Sequence, residues 1–380
     1  MDIRLTDQQL NYREEVRHFA SEQIAPWAAQ IDQQQCLPDS VLAAIRASKY
    51  LGAALPMEWG GSGLDVVSYG LMHEEIAKAC TSVCSLLTVQ NMCAQTLVKM
   101  GSPDQQSRWL PDLCSGRKII AFALSEPNVG SATQAIETEA VESDGRFVIK
   151  GTKKWISYGQ IADLFLVFAN CSHKSVALVV DRRSDGLSVT PIRDMFGSRG
   201  SLLAEVHFED VEVPKCNQLG ATGMGISFVC NSALDHGRFS VAWGSTGIIQ
   251  ACLDACLSYT AQRRQGEQKL REYQLIRRQL TEMLVAHTAA RALCYRCACL
   301  REQGDPRAVM ETSLAKYYAS QAAIQAANDA IHMHGANGCS SDYPVGRYLR
   351  DATVMGIIEG THEIHQVSLA NYAFQRPYLD

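Results

Sequence analysis

The sequence contains no apolar run approaching the ~20 residues that a membrane-spanning helix needs, so no spanning segment is expected. Basic charge is not in excess either. Lys and Arg number 35 against 40 Asp and Glu, leaving −5 and a pI near 6.1, which speaks against a nucleic-acid partner. Cysteine is too sparse for a disulfide scaffold, at 14 in 380 residues. Its one CxxC pair, Cys294 and Cys297, lacks the second pair or the spaced histidines of a structural zinc site, so no metal is expected. Met1-Asp2-Ile3-Arg4 leads into charged sequence rather than an export signal. Thiols kept reduced in the cytoplasm are therefore the expectation. No internal repeat or low-complexity tract is evident.

What is present is a chain long enough to bury roughly three quarters of its unfolded surface, patterned in three blocks. Residues 1–116 read as helices, broken once at Trp59-Gly60-Gly61-Ser62-Gly63. Leu10, Val16, Phe19 and Ile24 recur at helical spacing in the first of them, with Asp7 as the expected N-cap. Residues 117–222 change to short β-rich runs at 147–149, 164–168, 176–180 and 206–208. Asp144-Gly145 reads as a hairpin turn and Asp185-Gly186 as another turn, so a small antiparallel sheet or barrel is expected. Residues 223–380 are helical again, in four long segments separated near 264–271, 303–306 and 335–344, as in a bundle. The alanine-rich stretch 308–331 suits close helix packing. Cys294 and Cys297 continue the apolar series Ile276, Leu280, Met283, Val285 and Leu293, which makes them core positions.

Three clusters carry chemistry. In Ala121-Phe122-Ala123-Leu124-Ser125-Glu126-Pro127-Asn128-Val129-Gly130-Ser131, Pro127 and Gly130 force an irregular backbone flanked by the hydroxyls of Ser125 and Ser131. Such a loop offers donors to a flavin ring or a phosphate, although an ordinary Gly/Pro loop has the same composition. Trp155 precedes Ser157 by two residues, and strand alternation would put both on one face. That pairing suits a planar heteroaromatic cofactor; a core tryptophan is the alternative. In the third cluster Glu359 stands between Ile357-Ile358 and Gly360. A carboxylate among apolar neighbours is desolvated, which raises its pKa and makes it a base near neutrality. A surface glutamate at a helix start is the other reading.

In this order the clusters resemble the acyl-CoA dehydrogenase family of flavoproteins over essentially the whole chain. The matching segments are Pro56–Leu64 with its Gly60-Gly61, Ser125-Glu126-Pro127 with Gly130-Ser131, Trp155-Ile156-Ser157, Arg350-Asp351-Ala352 and Glu359-Gly360-Thr361. Each is weak alone; five in register are specific. The resemblance implies an α+β fold: an N-terminal helical domain (1–116), a middle antiparallel β domain (117–222) and a C-terminal four-helix bundle (223–380). It implies FAD as sole cofactor and α,β-dehydrogenation of an acyl thioester. Glu359 would take the α-proton while the β-hydride passes to flavin N5, with donors at the thioester oxygen stabilising the enolate. Phe122, Leu124, Ser125, Gly130, Ser131, Trp155 and Ser157 would meet the flavin. Arg263, Gln274, the Gly335–Ala336 turn, Thr361 and Glu363 would hold its pyrophosphate and adenosine, in part across a subunit interface. The resemblance therefore also implies a homo-oligomer, a tetramer or a dimer. Ser131, Asp235, Arg238 and Gly360 would contact the substrate, an i, i+3 ion pair between Asp235 and Arg238 being the structural alternative. Some relatives carry the base in the Leu234–Arg238 segment, where this chain has Gly237. An electron-transfer flavoprotein is the implied acceptor.

Three departures from the family pattern stand out. Ala132 follows Ser131 where an acid is usual, Gly266-Glu267 replaces a common Phe-Gly and implies weaker FAD retention, and Glu363 replaces a frequent amide. Leu234–Gly244 resembles the subgroup that oxidises acyl groups tethered to an acyl carrier protein in polyketide or nonribosomal peptide biosynthesis. Oxidation at a hydroxyl-bearing carbon belongs to that reading as well. A catabolic acyl-CoA dehydrogenase is the alternative, and a non-catalytic scaffold the third. Between Leu257 and Gly304 nine Lys and Arg stand against four Glu, a surplus of five positive charges, which could steer an acidic carrier protein.

Overall fold

Thr6, not Asp7, caps the first helix. Its hydroxyl accepts the Gln9 amide at 3.2 Å and the Gln9 side chain accepts the Thr6 amide at 3.1 Å, a reciprocal pair that satisfies two end amides at once. The computed structural model describes residues 4–375. Its first domain comprises α1 (Asp7–Phe19), α2 (Ala28–Gln34), α3 (Asp39–Ala47), α4 (Val66–Ala79), α5 (Thr81–Met100) and α6 (Pro103–Cys114). Val16 and Ile24 are buried as the periodicity requires, while Leu10 stays on the surface. Nearly every residue of α4 and α5 is buried, because both are enclosed by other helices rather than lying on the outside.

The strands are β1 (Ile120–Ala123), β2 (Glu139–Ser143), β3 (Arg146–Ile156), β4 (Leu164–Cys171), β5 (Lys174–Asp181), β6 (Leu187–Pro191) and β7 (Ala204–Pro214). They form one sheet in the order β1-β4-β2-β3-β7-β6, with β5 added on β4. The sheet is mixed where an antiparallel one was expected: β4 pairs in parallel with both β1 and β2, and the other pairings are antiparallel. Parallel neighbours need a long connection, and the excursion between β1 and β4 supplies it. Asp144 (φ 50°) and Gly145 (φ 75°) make the β2–β3 turn, as the Asp-Gly signal predicts.

The last domain is built on α7 (Asn231–Gln262), α8 (Gln274–Glu302) and α9 (Ala308–His334). The fourth helical segment is two shorter helices, α10 (Val345–Met355) and α11 (His362–Gln375), broken at 356–361. Ala319, Ala323, Ala326, Ala327 and Ala330 of α9 are buried in one cluster with α7, where small side chains allow close approach. Cys294 and Cys297 are core residues, but Val285 turns outward. No helix among the described residues is long and apolar enough to cross a membrane.

The three domains are tied together at Arg350-Asp351 on α10. The buried Asp351 carboxylate accepts the Thr81 hydroxyl of α5 at 2.5 Å and the Ser198 amide of the β domain at 2.7 Å. Arg350 forms a two-pronged pair with Asp32 of α2 at 2.7 and 2.5 Å and donates to the Phe196 carbonyl at 3.3 Å. Asp351→Ala would leave two donors unpaired, and hydrogen bonds to a charged partner are worth about 1.5–3 kcal/mol each. Urea denaturation should therefore show a loss of about 3 kcal/mol, with part of it restored by Asp351→Asn.

Candidate active site

Glu359 owes its position to the break between α10 and α11. Glu359 (φ 56°) and Gly360 (φ 96°) take left-handed backbone in succession. For a non-glycine residue this costs of order 1 kcal/mol and calls for surrounding support. The support is three donors on two successive carbonyls. Arg238 Nε donates to the Glu359 carbonyl at 3.2 Å, the His365 ring lies 3.2 Å from the same oxygen, and Lys316 Nζ donates to the Gly360 carbonyl at 2.6 Å. The side chain faces α7 at Gly237, where a Cβ would stand 2.3 Å from Oε2 and 2.4 Å from Cδ. Oε2 is shut off from solvent and has no hydrogen-bond partner. Burial pushes the carboxyl up to about 7, against the opposing pull of Arg238 and Lys316. Of the two settings expected for Glu359, the structure has the desolvated carboxylate rather than a surface glutamate at a helix start.

The β domain presents the second half of the site. Lys153 and Glu126 form a fully buried ion pair at 2.7 Å. Lys153 Nζ also donates to the Leu124 carbonyl at 3.1 Å, and Glu126 accepts the amides of Glu137 at 2.6 Å and Thr138 at 2.9 Å. Lys154 N donates to the Ser125 carbonyl at 2.8 Å. The Leu124–Ser131 loop is thus stitched to β3 from beneath. Sequence reasoning missed this pair; the available signal was a lysine inside a strand, at a position that proves buried.

Strand alternation does not present Trp155. β3 slips register between Lys153 and Ile156, Trp155 has φ 64°, and Ser157 lies just past the end of the strand. The irregularity re-aims the side chain, as bulges do. The indole is 47% exposed, with the Lys154 ammonium 5.2 Å from its ring centre. Phe122, Ser125 and Ser157 are half-buried, Leu124 is buried, and Gly130 and Ser131 are exposed. The hydroxyls of Ser125 and Ser157 make no hydrogen bond among the described residues. An open aromatic face with unused hydroxyls fits a planar, acceptor-rich ring system.

The remaining candidates lie on other elements. Arg263 ends α7, and Gln274 begins α8 after the hairpin β8 (Arg264–Gln265) and β9 (Gln268–Lys269); both are exposed. Gly266 sits at the hairpin turn with φ 56°, and the Tyr273 hydroxyl donates to the Gln265 carbonyl at 2.5 Å. Gly335 (φ 60°) and Ala336 form an exposed turn after α9, backed by His334 stacked on Tyr259 at 4.1 Å. Thr361 and Glu363 open α11. Asp235 does not pair with Arg238. Arg301 of α8 takes its carboxylate at 2.5 Å and also donates to Thr312, which leaves Arg238 free to reach the Glu359 carbonyl.

Models of the acyl-CoA dehydrogenase N-terminal, middle and C-terminal domains match residues 6–117, 121–211 and 223–373. The chain belongs to the acyl-CoA dehydrogenase family. It is therefore an FAD-dependent oxidoreductase with that family's three-domain fold. It is 37% identical to the probable acyl-CoA dehydrogenase YngJ of Bacillus subtilis, covering 97% of this chain and 99% of that one. Among solved structures, butyryl-CoA dehydrogenase of Megasphaera elsdenii has a TM-score of 0.94 at 32% identity, covering 99% of this chain and all of that one. The prolyl acyl carrier protein oxidase AnaB has a TM-score of 0.93 at 25% identity, covering 97% of this chain and all of that one.

Within this acyl-CoA dehydrogenase the close approach of Glu359 to Gly237 can be tested directly. Gly237→Ala should bind FAD normally yet displace the Glu359 carboxylate. Misplacement by an ångström costs about 10²-fold in rate, readable as slowed anaerobic flavin bleaching by butyryl-CoA. An unchanged rate would mean the carboxylate is not held against Gly237.

Proposed function

We propose that the protein oxidises a short or branched acyl thioester between Cα and Cβ, with Glu359 as the base. The observation that carries this reading is the buried, unpartnered Oε2 of Glu359, held where its ordinary pKa is lifted to about 7. A thioester α-proton is weakly acidic, so the base needs such a pKa and the developing enolate needs donors. Bound FAD supplies the hydride acceptor. Leu124, Ser125, Trp155 and Ser157 would orient its ring, with Phe122, Gly130 and Ser131 beside them. Ser131 and Gly360 would line the thioester channel. Arg238 both buttresses the Glu359 turn and, with Asp235, borders the path of the substrate's long arm.

Arg263, Gln274, Gly335, Ala336, Thr361 and Glu363 would serve an FAD shared between subunits, which makes a homo-oligomer, tetramer or dimer, part of the proposal. The exposed Leu275, Leu284 and Val285 of α8 and Val367 and Phe374 of α11 support it, since open apolar patches of this kind mark interfaces. Fourteen unpaired cysteines favour a reducing, cytoplasmic setting. An electron-transfer flavoprotein is the acceptor that the relatives favour.

Glu359→Gln should keep its flavin and lose 10²–10⁴-fold or more in reduction rate. Because the active form is the carboxylate, wild-type reduction should rise with pH through about 7 and fall away below it. A variant that reduces FAD at the wild-type rate would remove Glu359 from the mechanism.

A second reading, an acyl group tethered to a carrier protein, is supported by the likeness to AnaB and by part of the basic surplus. Arg291, Arg296 and Arg301 are engaged by Glu74, Glu311 and Asp235. Arg278 is paired with Glu282 at 3.4 Å, so the charge left to meet an acidic carrier is Arg263, Arg264, Lys269, Arg271 and Arg277, around the hairpin and the start of α8. For a carrier-bound substrate kcat/KM should fall with salt, since exposed attractions are screened beyond ~10 Å at 0.1 M. Faster turnover of the matched acyl-CoA, with no salt effect on the carrier-bound form, would exclude it.

A further inference from the structure

Lys316 is an unusual residue to find where it lies. It projects from α9 among the small side chains Ala315 and Ala319, and it is fully buried. Its ammonium has three donors, yet the one hydrogen bond it makes among the described residues is to the Gly360 carbonyl, at 2.6 Å. No carboxylate lies within ion-pair distance of it there. Burying an ammonium costs several kcal/mol unless something offsets it, and a neutral donor would hold a carbonyl at lower cost. The compensating charge nearby is the Glu359 carboxylate, whose own backbone the same lysine grips one residue on.

We propose that Lys316 is the positioning residue for the base: its ammonium fixes the left-handed Glu359–Gly360 turn and supplies the buried positive charge that keeps the Glu359 carboxylate ionised. The inference rests on the reading of Glu359 as base and deepens it. Arg238 and His365 brace the turn as well, but both act on the Glu359 carbonyl, so among the described residues Lys316 alone donates to the second carbonyl. The groups facing the pair are Arg238 from α7, His362, Glu363 and His365 from α11, Cys230 from the turn before α7, and Cys93 from α5. Burial pushes the His365 ring down to about 4, so at neutral pH it braces the turn without adding charge. Burial also brings the Lys316 ammonium down to about 7 while Glu359 resists that shift, and each stabilises the charged form of the other. Two groups so matched titrate as a pair.

The test compares FAD-loaded wild type, Lys316→Met and Lys316→Gln, the last retaining a donor without the charge. Two readouts are followed across the neutral range: anaerobic flavin reduction by butyryl-CoA, and the infrared carboxyl band that disappears in Glu359→Gln. In both Lys316 variants the acid limb and the band midpoint should move up together by about one pH unit, the usual effect of losing an opposite charge nearby. Lys316→Gln should keep more of the plateau rate than Lys316→Met. Profiles that superimpose on wild type would overturn the proposal, even if thermal stability fell. Should neither variant fold, nitrogen-15 lysine NMR of Glu359→Gln decides: the Lys316 ammonium must lose its proton at lower pH than in wild type, and an unchanged midpoint refutes the coupling. Wild-type flavin reduction by Glu359→Gln would instead defeat the base assignment, while the infrared and NMR midpoints would still report whether Lys316 and Glu359 share charge.

Discussion

A carboxylate becomes a stronger base when it is taken out of water and left without a donor, and neither condition is stable by itself. Much of this fold serves to hold Glu359 in that state. The break between α10 and α11 provides the backbone, Gly237 on α7 leaves the space, and donors from α7, α9 and α11 fix two carbonyls. Arg350 and Asp351, on the helix just before the break, anchor that helix to both other domains. Glu359 and the domain tie are therefore a few residues apart in one segment, and the geometry of that carboxylate depends on how the domains are docked.

Across the site, the β domain solves the opposite problem, which is to keep an irregular loop rigid while leaving its hydroxyls unused. The buried Lys153–Glu126 pair does this from the inner side, with Lys153 on the Leu124 carbonyl and Glu126 on the amides of Glu137 and Thr138. A buried ion pair is stable when its remaining donors and acceptors are satisfied, and here several backbone groups do so. The outer side of the loop is left open at Gly130 and Ser131. Trp155, at the register slip of β3, is exposed.

Charge read along the sequence and charge read in space differ for a physical reason. The basic run from Arg263 to Arg301 looks continuous, yet its last three arginines are paired with acids from both helical domains: Glu74 of α4 in the first, Glu311 of α9 and Asp235 of α7 in the last. Acids more than 200 residues away in the chain, as Glu74 is from Arg291, are invisible to a local count. What survives on the surface is a smaller patch beside the hairpin.

The order of helical, β and helical blocks, the β2–β3 turn and the apolar setting of Glu359 were legible in the sequence. Each rests on local chemistry: apolar periodicity, Asp-Gly at a turn, a carboxylate between apolar residues and a glycine. The first helix cap was misplaced by one residue because Thr6 and Asp7 are both good caps, and only the Gln9 side chain chooses between them. The parallel pairings of β4, the bulge at Trp155, the diversion of Asp235 to Arg301 and the burial of Lys153 and Lys316 were not legible. All of these depend on which distant residue arrives opposite, and that is decided by packing. Sequence alone determined the order of the blocks and the apolar setting of Glu359. Tertiary structure alone decided what holds them, because a desolvated charge takes its meaning from neighbours contributed by other parts of the chain.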